Sequence, residues 1–155
     1  MKDIIIREAA RFDLDPLLVA AVIVQESRGE CWSTRYEQAF FDNYIKGKSR
    51  DRLGGTWLPF SICSEDTERH HRATSWGAMH VMGQTARELG FTEHLTRLIL
   101  PEEGIHFGCM YLKKCAAGGV GREKQLLKFN GGGNKSYPKE VITLIDSGQA
   151  IRLIG

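Results

Sequence analysis

The chain has 155 residues, 42% of them hydrophobic and 26% charged, with a formal net charge of +2. This is an ordinary globular mix, sized for one compact domain over 1–155 that can bury a core without disulfide staples. The small positive balance makes no case for nucleic acid as a partner, and the most apolar run, Leu17 to Val24, is far too short for membrane insertion.

Taken in chain order, the pattern predicts a mainly α-helical protein. Residues 3–12 place Ile4, Ile5, Ala9 and Phe12 at helical spacing. Asp13 and Asp15 are cap-type residues, and Pro16 suits a first helical turn. Leu17 to Val24 follows with no polar face, the mark of a buried helix, and runs into Gln25-Glu26-Ser27 before Gly29 punctuates it. The stretch from about 30 to 75 mixes aromatics with charges and glycines. A short helix is predicted over Tyr36–Ile45, with loops over Lys46–Gly55 and Pro59–Ala73. An irregular segment of that length in a compact domain is usually functional or mobile. Order returns at Gln84–Leu89. Pro101 opens a further helix whose Glu102 and Glu103 precede Lys113 and Lys114, the charge order that suits a helix dipole. Gly118-Gly119 ends it, Arg122–Phe129 forms the next helix, Asn130–Gly133 a turn, and Pro138 starts the last helix.

Glu26 is the first candidate for chemistry. It lies one turn beyond Val22 and two beyond Val19, on the same face of the apolar helix. A carboxyl there loses solvation, which raises its pKa and suits it to proton donation; the bland alternative is a solvated glutamate at a fraying helix end. The segment Ser75 to Gln84 brackets a short apolar stretch with Gly77 and Gly83, for close approach of a ligand or simply as a turn feeding a core element. Asn130 ends a helix in a glycine run, where its amide can serve a sugar or merely form the turn. Tyr137 precedes the last helix and suits packing as well as binding.

The four cysteines, Cys31, Cys63, Cys109 and Cys115, form no C-x-x-C pair. Cys109 and Cys115 share a helix at a separation of ~9 Å, beyond disulfide reach. A Cys31–Cys63 bridge stays open, and free thiols are the expectation. Cys31, Cys63, His70 and His71 match no common zinc spacing, so no metal and no cofactor is expected.

In order along the chain, these segments resemble the lytic transglycosylases with the soluble-transglycosylase catalytic domain, glycoside hydrolase family 23. The matching elements are Glu26-Ser27 at the end of a buried helix, Gly77-Ala78-Met79-His80 leading into a helix, Lys128-Phe129-Asn130-Gly131-Gly132, and Tyr137 before the final helix. The likeness is close over Asp15 to Ser27 and over Pro101 to Leu112, and it covers Leu17 to Ser27 and Ser75 to Val141. It implies a single lysozyme-like domain with a glycan-binding groove and Glu26 as catalytic acid/base. Ser27 would position the acid or substrate, Met79 would line the groove, Asn130 would hold the substrate, and Tyr137 would sit close to Glu26 and the sugar. Two positions depart from the family pattern: His80 stands where the family has Gln, and Phe129 where it has Tyr. The Glu26-to-Gly77 gap is longer than usual, and Arg35-Tyr36-Glu37 within it resembles phage-type members, which makes Glu37 a candidate second carboxylate; the bland alternative, the commoner one, is a carboxylate paired with a neighbouring arginine.

The resemblance therefore implies cleavage of the MurNAc–GlcNAc bond of bacterial peptidoglycan with a 1,6-anhydro product. The rivals are a muramidase of the same fold that uses water, and a glycan-binding protein that no longer cuts. A monomer is the default. Met1–Phe12 has scattered charges and no cleavage-site pattern, so no signal peptide is legible. That is the expectation for a phage-type enzyme held in the producing cell's cytoplasm, or carried on the virion, until it reaches the wall.

Overall fold

The computed structural model describes residues 1–155, and they form a mostly helical protein with one small antiparallel sheet. The helices are α1 (Lys2–Arg11), α2 (Pro16–Ser27), α3 (Gln38–Phe40), α4 (Arg50–Leu53), α5 (Glu65–Arg72), α6 (Gly83–Glu88), α7 (Pro101–Cys115), α8 (Arg122–Phe129) and α9 (Tyr137–Asp146). The strands are β1 (Thr34–Tyr36), β2 (Thr74–Trp76) and β3 (Val81–Met82). A π-helical turn, Phe41–Ile45, continues α3, and short 3-10 turns occupy Leu95–Ile99 and Ala150–Leu153. Two compact units divide the chain: residues 1–29 with 108–155, and residues 30–107.

In the first unit α2 is the central element. The Asp15 carboxylate accepts the Leu17 N–H at 2.9 Å and Pro16 fills the first turn, so the helix starts where its unpaired donors are already served. Leu18 through Ile23 are all buried, as expected of a helix with no polar face. It stops at Arg28, whose left-handed φ of 57° closes the last turn onto Val24 O. Helices α1 and α9 and the turn at 150–153 pack against it, and α8 packs on α9. Cys109, Leu112, Leu126 and Val141 add buried apolar volume, and buried Gln125 donates to Leu112 O at 3.0 Å.

In the second unit the sheet has the order β1-β2-β3, with Arg35 opposite Ser75 and Trp76 opposite Val81. The β2–β3 turn depends on Gly77. Its φ is +72°, and a Cβ there would stand 2.1 Å from Leu98 O, so no other residue fits.

The expected loops at 46–55 and 59–73 contain α4 and α5. Helix α5 (Glu65–Arg72) shows no apolar period because its support is ionic. Ser64 Oγ caps it by accepting Thr67 N–H at 3.2 Å, acidic residues fill its first turn and basic ones its last, and Glu65–Arg69 and Glu68–Arg72 pair at i,i+4. The Tyr36–Ile45 helix is realised as α3 and the π-helical turn, with Tyr36 itself in β1.

Glu68 is almost fully buried between two equally buried arginines. Arg72 Nε donates to Glu68 Oε1 at 2.9 Å, and Arg87 donates from Nε at 2.8 Å and from Nη2 at 3.0 Å. The remaining guanidinium protons reach backbone carbonyls: Arg72 those of Gly54 and Thr56, Arg87 those of Phe91 and Glu93. Gln84 joins by accepting from Arg72 at 2.9 Å and donating to Leu53 O at 2.6 Å. The Arg72 guanidinium also lies 4.1 Å from the centre of the Trp57 ring. A buried carboxylate is tolerable only when its charge and lone pairs are met in this way.

Glu68→Ala would leave two buried guanidinium groups without their counter-charge. The expected result is a loss of about 3–5 kcal/mol in unfolding free energy, read by urea denaturation. A loss below about 1 kcal/mol, the size of an exposed ion pair, would show that this network does not hold the second unit together.

Candidate functional site

Glu26 sits in the last turn of α2, half-buried, two residues before the left-handed break at Arg28. Its carboxyl receives a hydrogen bond from the Tyr137 hydroxyl, O···O 2.5 Å, across 111 residues of sequence. Tyr137 is the first residue of α9 and is only 3% exposed, so its ring is fixed by packing and the hydroxyl by the carboxyl. Burial, reinforced by the neighbouring Glu26 charge, pushes the Tyr137 phenol well above the ordinary tyrosine range. The hydroxyl is therefore a permanent donor at working pH, and it pins the orientation of the Glu26 carboxyl.

A second pair of residues braces the same two helices. Gln25 Nε2 donates to Glu140 Oε2 at 2.8 Å, and Asn134 Nδ2 donates to the same oxygen at 3.1 Å. Gln25 adjoins Glu26, and Glu140 lies one turn beyond Tyr137 on α9, so the two contacts tie the end of α2 to the start of α9. Neither Gln25 nor Glu140 was singled out from the sequence. The only signal was the i,i+3 spacing of Tyr137 and Glu140, which places them on one helix face.

Ser27 is buried and its hydroxyl donates to Ile23 O at 3.1 Å, within its own helix. Asn130 caps the end of α8. Its Oδ1 accepts Asn134 N–H at 3.0 Å, and Asn134 Oδ1 in turn accepts Ser136 N–H at 2.9 Å. Asn130 thus builds the glycine turn that delivers the chain to Tyr137. Phe129 is buried, with its ring centre 5.3 Å from that of Tyr111. The Tyr111 hydroxyl lies 3.4 Å from Lys128 O.

Met79, His80 and Glu37 belong to the second unit. Met79 is completely buried, so its side chain is core and has no face on a groove. His80 takes the left-handed conformation, φ 46°, at the end of the β2–β3 turn, and its Nε2 lies 2.6 Å from Ser33 Oγ. Glu37 is ion-paired with Arg35 at 2.5 Å, and its backbone N–H donates to Ala73 O.

All four cysteines are free thiols. Cys109 is buried deeply enough that its thiol is pushed up to about 12, by burial first and then by Glu8, so it does not ionise at neutral pH. The second unit also gathers Cys63, His71 and His94, whose sulfur and ring-nitrogen atoms all lie within 4.8 Å of one another. Cys31 and His70 are not in this group. His70 Nδ1 contacts Asp66 O and its ring stacks on Phe41. His94 had no local signal, because it lies 23 residues beyond His71.

No protein-family model, no curated protein and no solved structure matches the chain.

The raised phenol of Tyr137 gives the folded protein an alkaline limit. The native state keeps a proton that the unfolded chain releases, so this stabilisation is fully present below the ordinary tyrosine pKa of about 10 and is lost as pH rises above it. Urea unfolding measured from neutral to strongly alkaline pH is expected to show a fall in stability that Tyr137→Phe reduces. The same alkaline slope in both proteins would rule out Tyr137 as its source.

Proposed function

We propose that this chain is a peptidoglycan lytic transglycosylase of lysozyme-like fold, acting as a monomer on bacterial glycan strands, with Glu26 as general acid and then general base. The observation that carries the proposal is the hydrogen bond from Tyr137 to Glu26. The family resemblance names these two residues, far apart in the chain, as the acid and the tyrosine beside it. Their contact is what a positioned proton donor requires. A carboxyl swinging freely at a frayed helix end could not hold the geometry of proton transfer.

In this mechanism Glu26 protonates the oxygen bridging MurNAc to GlcNAc, and the C1–O bond breaks through an oxocarbenium-like transition state. The substrate's own N-acetyl group stabilises the cationic carbon. Glu26, now ionised, accepts the proton of the sugar's C6 hydroxyl as that oxygen bonds to C1. The product is a 1,6-anhydro sugar, the acid is regenerated, and no water is consumed. Tyr137 donates to the carboxyl throughout the cycle, while Gln25 and Glu140 keep its helix in place.

The hydrolytic alternative needs a second carboxylate to activate water. Glu37 is the residue in question, and its ion pair with Arg35 favours a structural part for it. The test is digestion of purified peptidoglycan with mass analysis of the fragments, alongside Glu26→Gln. The expected products are lighter by one water than hydrolytic fragments, and Glu26→Gln is expected to be slower by on the order of 10²–10⁴-fold. Fragments with ordinary reducing ends would make the protein a muramidase. Binding of the glycan without any product from the folded protein would make it a glycan-binding module.

A further inference from the structure

We propose that Cys63, His71 and His94 form a binding site for a borderline-soft divalent metal ion of the zinc kind, which clamps three segments of the second unit together. The donor atoms define a triangle whose sides do not exceed 4.8 Å. Some point then lies within about 2.8 Å of all three (4.8 Å divided by √3), against zinc bonds of about 2.0–2.3 Å. Small side-chain rotations, with no backbone rebuilding, would close that difference.

Three further observations mark this cluster as more than packing. First, His71 Nδ1 is buried and makes no hydrogen bond. An orphaned buried ring nitrogen is costly, and a ligand would satisfy the histidine. Second, the two imidazoles stand edge to face with ring centres 5.3 Å apart, and Trp76 packs edge-on against His71 at 5.1 Å. Aromatic packing thus fixes one of the two rings from a further side. Third, His94 Nδ1 lies 2.8 Å from Thr96 Oγ1. The same nitrogen accepts the Thr96 N–H at 3.4 Å, so Thr96 orients the His94 ring from its Nδ1 side.

The donor set selects the class of ion. One sulfur with two imidazoles suits zinc and its neighbours and is wrong for magnesium or calcium, which take oxygen. Cys63 is only 6% exposed and both histidines are half-buried. Burial also favours the neutral, ligating form of His71. Three protein ligands leave a fourth tetrahedral position for water or an external group.

The ligands come from places where local structure is weak. Cys63 ends the irregular stretch after α4, His71 lies in the last turn of α5, and His94 caps the 3-10 turn at 95–99. Glu68, which bridges Arg72 and Arg87, is close enough for its charge to act on both Cys63, whose thiol is raised by burial first and Glu68 second, and His71, which burial lowers against the opposing pull of Glu68. The ion would therefore lie beside the buried ionic network and reinforce it. This inference is independent of the glycan chemistry assigned to Glu26.

The test uses the full chain, stripped with a chelator and titrated with Co²⁺ as a spectroscopic stand-in. The expected result is one equivalent bound, with a sulfur-to-cobalt charge-transfer band and tetrahedral visible bands that Zn²⁺ displaces. Zn²⁺ should also raise the thermal midpoint. Cys63→Ser, nearly isosteric and checked for folding by circular dichroism, is expected to lose the charge-transfer band. It and His94→Ala should each weaken binding by about 100-fold or more, while Cys31→Ser and His70→Ala bind as the unmutated protein does. Absence of stoichiometric cobalt binding, or a sulfur band that survives in Cys63→Ser, would overturn the proposal.

Discussion

Helix α2 has no face to give to water, and the first unit follows from that constraint. Six consecutive buried residues, Leu18 to Ile23, must be covered on every side. Helix α1 supplies part of that cover, and α9 and the turn at 150–153, from after residue 107, supply more. That return brings Tyr137 to Glu26. The candidate catalytic pair is a by-product of covering a helix, because Glu26 occupies the turn where the apolar run gives out and the chain can hold a polar group near the surface.

The second unit uses a different economy. Beside buried apolar residues such as Trp76, Met79, Leu95, Leu98 and Ile105, and a cluster of Ile45, Leu53 and Ala73 with Phe40, Phe41 and Trp57 against it, charge organises the packing. Glu68 holds Arg72 and Arg87, and each arginine hands its remaining protons to the carbonyls of a neighbouring loop. Such a network is directional where a hydrophobic contact is not. It specifies which carbonyls of 53–56 and 91–93 sit where, at the cost of desolvating three ionised groups. The proposed metal site would extend the same strategy, a few strong directional bonds among segments with little regular structure.

The two candidate chemistries differ in how each donor is held. At Glu26 the polar atoms are met: Tyr137 serves the carboxyl, while Glu140 serves Gln25 and Asn134. These bonds set the orientation of the carboxyl. At His71 a buried nitrogen makes no hydrogen bond, and the proposed ion would give that ring a partner. Asn130 and Ser27 fall on the satisfied side, with bonds inside the scaffold. Their part in the first unit is to shape the elements that carry Glu26 and Tyr137.

By itself the sequence determined the helices whose signals are local. The cap at Asp15 with Pro16, the unbroken apolar run of α2, the dipole-ordered charges of α7 and the bounds of α8 were all legible, because each depends on residues within a turn or two of one another. The mainly helical class and the place of Glu26 on an apolar helix face followed from the same signals, while the roles of Asn130 and Tyr137 came from a family resemblance. The tertiary structure alone decided the rest. Helix α5 was hidden because a helix supported by ion pairs has no apolar period. The three strands were hidden because none exceeds three residues and their pairing joins residue 34 to 76. Met79 was placed in the core, and His94 beside Cys63 and His71. Capping and periodicity act between neighbours and can be read along a line. Pairing, burial and the meeting of distant donors are properties of a chain that has already closed on itself.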